Sequence, residues 1–291
     1  MKPAKFEYYD PTTVDEALDL LDRHGDEAKV LAGGQSLVPL MNMRLAKPSV
    51  VIDINRLAGL DYIQSRNGSV AIGALTRHRT VETSTLLRTL CPLLPHAAEH
   101  VADVQVRNRG TFGGSIAHAD PAAEFCAIAL LLDGKVLVRS KKRAREIPAA
   151  EFFVGPLTTS LDPTELVTEV LLPEPPGRGW SFRSVAPRHG DLAVAGVMAV
   201  LEADGRGVCT EARIGMFGVG PTPLRAARAE AMLVGNALDD LLIARAAEEA
   251  SSETEAVSDV RASADYRREM VRRLVAWNLK IALGRLASGG S

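Results

Sequence analysis

Two glycine pairs, at positions 33–34 and 113–114, constrain this 291-residue chain more than any other feature. The first lies in Leu31-Ala32-Gly33-Gly34-Gln35-Ser36-Leu37, directly after the strand-like run Ala28-Lys29-Val30-Leu31-Ala32. The second lies in Arg109-Gly110-Thr111-Phe112-Gly113-Gly114-Ser115. Paired glycines accept positive φ and present no Cβ, so successive backbone N–H groups converge on an anion. Ser36, Thr111 and Ser115 add hydroxyls, and two such turns suit a pyrophosphate gripped from both sides. Neither turn matches the dinucleotide fingerprint or the P-loop, and a glycine turn after a strand is also a common structural device.

Around these turns the pattern is mixed. Thr13-Val14-Asp15-Glu16 reads as a capping box opening a helix with Val14, Ala17, Leu18 and Leu21 on one face and Gly25 as its stop. Val50–Ile54 and Val70–Ile72 read as strands, Thr80–Leu90 and Leu93–Val104 as helices, and Asn108–His118 as a polar glycine-rich turn. Asp120-Pro121 opens an apolar helix to Leu132, and Lys135–Arg139 alternates as a strand; Phe152-Phe153 and Glu165–Leu172 complete the region. The run Leu172-Pro173-Glu174-Pro175-Pro176-Gly177-Arg178-Gly179 cannot continue a helix or strand, which sets a domain boundary near 176. Beyond it, strands at 180–186, 193–202 and 208–217 precede helices at 224–234, 238–250 and 264–286. That order predicts an α+β domain with one antiparallel sheet covered by helices.

Composition narrows the chemistry. Thirty-four basic against 36 acidic residues give no electrostatic reason to expect nucleic acid, and 13 aromatics offer little for base stacking. Cys91, Cys126 and Cys209 are too scattered for zinc or an iron–sulfur cluster. No signal-peptide core or apolar run of about 20 residues occurs, so a reduced cytoplasmic protein is expected. His96 and His100 stand four apart without a third ligand, and His118 lacks an acid partner; no metal site and no catalytic acid or base is assigned. Lys141-Lys142-Arg143-Ala144-Arg145 reads as a solvated basic turn or a docking patch for an acidic partner. Asp120 and Glu124 form either a capping box or, for Glu124, a carboxylate accepting ribose hydroxyls. With no nucleophile elbow and no metal cluster, any catalysis falls to a bound cofactor.

The two turns, with Phe6-Glu7-Tyr8, Val51-Ile52-Asp53-Ile54, His118-Ala119-Asp120-Pro121-Ala122-Ala123-Glu124, Phe152-Phe153-Val154-Gly155 and Arg188-His189-Gly190-Asp191, resemble the FAD-carrying medium subunit of molybdenum hydroxylases along essentially the whole chain. The resemblance implies a two-part FAD-binding domain of the PCMH (vanillyl-alcohol-oxidase-like) type over 1–176, with subdomains at about 1–56 and 57–176. A C-terminal domain of the CO dehydrogenase flavoprotein type follows over 177–291, with a three-stranded antiparallel sheet and helices. By position, Leu31, Ala32, Gly33, Gly34, Gln35, Ser36 and Leu37, with Thr111, Phe112, Gly113, Gly114 and Ser115, surround the pyrophosphate. Val101 lies at the adenine end, Glu124 takes the adenosine ribose, Leu161 and Leu166 contact the cofactor's surroundings, and Asp191 and Leu192 border the isoalloxazine. Gln35, Ser115 and Glu124 replace a frequent His, Asn and Asp, and Arg183 stands where some relatives carry a Lys near the flavin.

The implied function is electron transfer. A large molybdopterin subunit and a small subunit with two [2Fe-2S] clusters, in a dimer of heterotrimers, would feed FAD here, and NAD, a quinone or O2 would take the electrons. The alternatives are a self-sufficient FAD-dependent oxidase of the same superfamily and an interaction protein with structural glycine turns.

Overall fold

The computed structural model describes residues 2–175 and 179–288, so the Pro176–Arg178 part of the expected linker, and with it the boundary near 176, lies outside the described residues. The N-terminal unit contains β1 (Glu7–Tyr9), α1 (Val14–His24), β2 (Ala28–Leu31), α2 (Leu37–Asn42) and β3 (Val50–Asp53). Its three strands form a parallel sheet in the order β1-β3-β2. The expected capping box is present: Thr13 accepts from the Glu16 amide, Glu16 accepts from the Thr13 amide, and Gly25 ends the helix at φ 47°. Ala17, Leu18 and Leu21 bury one face of α1 against Val50, Ile52 and Ile54.

The second unit has β4 (Ile63–Arg66), β5 (Ser69–Gly73), six short helices and then β6 (Lys135–Arg139), β7 (Ala144–Pro148), α9 (Ala149–Phe152), the small pair β8 (Phe153–Gly155) and β9 (Thr158–Thr159), and β10 (Leu166–Pro173). Its main sheet is antiparallel, in the order β4-β5-β10-β6-β7. The six helices are α3 (His78–Thr83), α4 (Thr85–Leu90), α5 (Leu93–Ala98), α6 (Val104–Arg109), α7 (Phe112–His118) and α8 (Glu124–Leu131).

Here the helix expectations need correction. The helix read over 80–90 is broken at Ser84, whose hydroxyl caps α4 by accepting from the Leu87 amide. The helix read over 93–104 stops at Ala98, and Asp103 caps a new one through the Val106 amide. In both cases a short polar side chain offers the backbone a partner and opens a new helix inside the apolar pattern. The segment read as a glycine-rich turn over 108–118 is largely the helix α7, with Thr111 as N-cap accepting from the Gly114 amide. Asp120 does not open the next helix; its carboxylate accepts from the Ala122 amide in a local turn, and α8 starts at Glu124 behind Ala123. The capping-box reading of Asp120 and Glu124 is therefore excluded.

The C-terminal part carries β11 (Gly179–Val185), β12 (Ala195–Ala203), β13 (Cys209–Phe217) and β14 (Leu224–Arg225), then α10 (Ala227–Leu233), α11 (Asp240–Ser252) and α12 (Ala264–Ala287). The three expected strands are present, with β14 as a two-residue fourth at the edge. Residues 195–201 of β12 are buried without interruption, because both faces of the sheet are covered. One face, through Phe182, Met198, Val200 and Phe217, joins the core of the second unit. The other, through Val197, Ala199, Leu201 and Ile214, packs on α10–α12. Helices therefore lie on both faces, α10–α12 on one and α5 and α8 of the second unit on the other, as the sequence predicts.

The basic run forms the exposed turn between β6 and β7, as expected, and its charges carry surface ion pairs. Arg139, Lys141 and Lys142 on the β6–β7 hairpin pair with Asp15, Asp19 and Asp22 of α1 at 3.2, 2.8 and 3.7 Å, fastening the first unit to the second.

Candidate functional site

The two glycine turns meet. A Cβ on Gly33 would lie 2.4 Å from the Arg109 carbonyl oxygen and 2.8 Å from the Gly110 Cα, so these backbones touch where only glycine fits. On Gly114, the nearest residue of the other turn to an added Cβ would be Ala32, at 3.9 Å. Gly34 has φ 74°, the left-handed backbone that glycine adopts without penalty. Gly113 answers a packing need instead, since a Cβ there would strike the Ala74 backbone at 2.7 Å.

The turns differ in what they leave open. Among the described residues, the amide N–H groups of Gly33, Gly34, Gln35 and Ser36 donate to no protein acceptor, and the Gln35 side chain folds back to the Gly33 carbonyl at 3.0 Å. Four successive uncommitted donors at a strand end form an anion-binding concavity. In the second turn most amides are spent: Phe112 donates to the Thr76 carbonyl, Gly113 to Ala74, Gly114 to the Thr111 hydroxyl and Ser115 to the Thr111 carbonyl. Its contribution is a rigid wall. The Phe112 side chain is wholly buried in the core.

A polar network that sequence reading missed joins the turns. Asn55 Nδ2 donates to the Ala32 carbonyl at 2.6 Å and to Asp53 at 2.6 Å. Arg77 donates to Asn55 Oδ1 at 2.8 Å and to the Arg109 carbonyl at 2.5 Å. Partial burial, with Arg109 as a like-charged neighbour, lowers the Arg77 pKa, though the guanidinium stays cationic at neutral pH. His78, buried beneath the second turn, has Nε2 2.9 Å from the Thr111 carbonyl oxygen, so Nε2–H donates. Desolvation pushes its pKa down to about 4 and keeps the ring neutral. A sequence signal existed only for the hydrogen-bonding character of Asn55 and His78; their partners lie 23 and 33 residues away.

Glu124 sits 7% exposed at the start of α8, and Cys126 of the same helix donates from Sγ to the Ser115 carbonyl at 3.5 Å. Burial, aided by the Asp120 charge, raises the Glu124 pKa to about 7. A buried carboxylate beside the second turn suits a ligand that brings hydroxyl donors. Open amides, a nearby guanidinium and this carboxylate together fit a nucleotide carrying a diphosphate and a ribose.

The remaining expected residues divide. Leu31 and Leu37 flank the first turn and are half-buried. Asp191 and Leu192 are exposed on a loop whose Gly190 packs on Ala102, where an added Cβ would lie 2.9 Å from the carbonyl oxygen. Val101 therefore stands beside the Asp191 loop, at the same end of the site. From there α6, six residues and so about 9 Å long, leads to the second glycine turn. Leu166, 4% exposed, belongs to the core shared by the first and second units, and Leu161 packs against the larger core. Leu166 shares its core with Ala32 of the first turn, and Leu161 packs on the core that holds Phe112 of the second. Arg183 lies over the Trp277 ring, 4.6 Å from its centroid. Among the described residues there is no group of three or more potential metal ligands, and no helix is long and apolar enough to cross a membrane.

Comparison with known proteins bears on this arrangement. Residues 4–175 match the family model described as the FAD binding domain in molybdopterin dehydrogenase, and residues 180–280 match the CO dehydrogenase flavoprotein C-terminal domain. The chain is 43% identical to the 6-hydroxypseudooxynicotine dehydrogenase complex subunit alpha of Paenarthrobacter nicotinovorans, over 98% of this chain and 97% of that one. It is 37% identical to the carbon monoxide dehydrogenase medium chain of Hydrogenophaga pseudoflava, over 99% and 100% of the two chains. A solved carbon monoxide dehydrogenase from H. pseudoflava lacking the Mo-pyranopterin moiety superposes with a TM-score of 0.95 at 38% identity, covering 98% of this chain and 100% of that one.

Proposed function

Because this chain belongs to the FAD-binding medium subunits of the molybdenum hydroxylases, we propose that it holds FAD where the two glycine turns meet and passes electrons from a partner's [2Fe-2S] clusters to an external acceptor: NAD, a quinone or O2. The observation that carries this reading is the run of four uncommitted amides from Gly33 to Ser36, closed against the second turn by the Gly33–Gly110 contact. FAD, when bound, supplies two-electron redox chemistry. What the chain's own residues do is bind and orient. The Gly33–Ser36 amides donate to phosphate oxygens, and Arg77, tied through Asn55, fixes the spacing of the turns and adds positive potential. Glu124 accepts from the adenosine ribose and in doing so regains the hydrogen bonds that its burial removes. Val101, with Asp191 and Leu192, is assigned to the isoalloxazine end rather than the adenine end, because its turn packs beside their loop.

The division proposed is a FAD-binding domain over 1–176, with subdomains near 1–56 and 57–176, and a C-terminal domain over 177–291. The proposed assembly is cytoplasmic: a large molybdopterin subunit and a small iron–sulfur subunit join this chain in a dimer of heterotrimers. Titration of the full chain with FAD tests the reading, followed by flavin absorbance and fluorescence. One FAD per chain is expected, and a folded chain that takes up none overturns it. Recovery of the chain from its native source, fully active and alone, overturns the assembly.

A further inference from the structure

A groove of about 350 Å³ opens between α5, β11 and α12, lined by His96, His100, Phe182, Arg183, Ser184 and Trp277. It shares His100 and Ser184 with a smaller hollow of about 190 Å³ that reaches Gly190 and Asp191, the end assigned to the isoalloxazine. The groove's walls are aromatic: His100 and Phe182 stand 4.9 Å apart between ring centroids, and His96 and His100 5.2 Å. These rings are inclined to one another, and the partly exposed Trp277 ring adds the face on which a ring can stack.

Its polar groups are uncommitted. Among the described residues, Arg183 makes no ion pair or hydrogen bond beyond its stacking on Trp277, and the Ser184 hydroxyl has no hydrogen-bond partner. His100 Nδ1 donates to the His96 carbonyl at 3.0 Å, which in the neutral ring leaves Nε2 as an acceptor. The groove thus offers two donors and one acceptor around aromatic surface. Its volume is near the lower limit for ligand pockets, about 300 Å³, and suits one ring system rather than a dinucleotide. It also lacks the run of open amides that a diphosphate requires.

We infer that this groove binds a planar ring bearing opposed carbonyl oxygens, of the quinone class. Arg183 and Ser184 donate to a carbonyl oxygen, and His100 Nε2 accepts from the hydroxyl of the hydroquinone, so both forms of the couple find partners. Quinone plus two electrons and two protons gives hydroquinone, and those are the quantities a fully reduced flavin carries. The inference rests on the reading that electrons leave this chain at the Asp191 end.

The chain contains two tryptophans, and Trp277 lines the groove. Titration of the full chain with 2-methyl-1,4-naphthoquinone should therefore quench tryptophan fluorescence along a saturating curve. Trp277→Phe should remove most of the saturating component. Arg183→Gln, at an exposed position, should leave folding unchanged and raise the Kd for the quinone roughly tenfold, the loss expected for one hydrogen bond from a charged donor. In the FAD-loaded chain reduced with dithionite, the same variant should slow reoxidation by the quinone and leave reoxidation by O2 unaltered. Linear, non-saturating quenching, an unchanged Kd in Arg183→Gln, or displacement of the quinone by NAD+ would each overturn the inference. Saturable quinone binding by a chain that takes up no FAD would leave the groove in place and refute the FAD reading instead.

Discussion

Replacing Glu124 by Gln should remove a pH dependence that its environment imposes. In an unfolded chain this carboxyl titrates near 4.5; in the fold, burial moves it to about 7, so about 2.5 pH units separate the two states. The native state binds the proton more tightly, so stability from this group is fully present below pH 4.5 and is lost as pH rises through 7. At 1.36 kcal/mol per unit the whole loss is about 3 kcal/mol, of which about 2 kcal/mol has gone by pH 6. Gln keeps the shape and does not titrate. The difference in unfolding free energy between the wild-type apoprotein and Glu124→Gln, from urea denaturation at pH 4.5, 6 and 8, should therefore move by about 3 kcal/mol in favour of the variant. Ribose hydroxyls donating to the carboxylate should bring the pKa back down, so FAD affinity in the wild type should rise with pH up to about 7 and stay flat in the variant. Parallel stability profiles for the two proteins would refute the assignment of a buried, uncompensated carboxyl at 124.

Other expectations follow from the geometry. Asn55→Ala removes the bonds to the Ala32 carbonyl and Arg77, and FAD titration should show an affinity roughly 30-fold weaker, about 2 kcal/mol. Gly33→Ala sets a methyl 2.4 Å from a backbone oxygen, and the forced separation of the turns should cost about 1–3 kcal/mol of stability together with most FAD binding, read by thermal melts with and without FAD. Gly114→Val would strike the Thr111 hydroxyl 2.5 Å from the new Cβ, so the melting temperature of the apoprotein should fall even before cofactor is added. Alanine at Arg139, Lys141 and Lys142 together should lower the melting temperature only slightly, since the pairs are solvent-exposed, and leave subunit assembly, measured by native mass spectrometry, unchanged; lost assembly would restore the docking reading of the basic run.

Much of the architecture is legible where the code is local. The Thr13–Glu16 box, the strands around 28–31, 50–53 and 209–217 and the long final helix each satisfy rules that act within a few residues. Legibility fails where a polar side chain must choose between partners. Ser84 and Asp103 look unremarkable in an apolar helical pattern, yet each accepts from the amide three residues on and so starts a new helix. The glycine pairs announce a site but not its division of labour: one turn keeps its amides free, while the other spends them on Ala74, Thr76 and Thr111. The pairing of Lys141 with Asp19 or of Arg77 with Asn55 is a product of the tertiary fold, and no spacing in the chain encodes it.

With FAD held where the turns meet, as proposed, the contact between Gly33 and the Arg109–Gly110 backbone sets the width of its grip. The width of the grip is a main-chain separation, with no side chain in the gap to lengthen or shorten. On that proposal, affinity for the dinucleotide is a collective property of how the first and second units dock. Substitutions that tune it belong at distant contacts such as the α1 ion pairs and the Asn55–Arg77 link, while the seam itself admits only glycine.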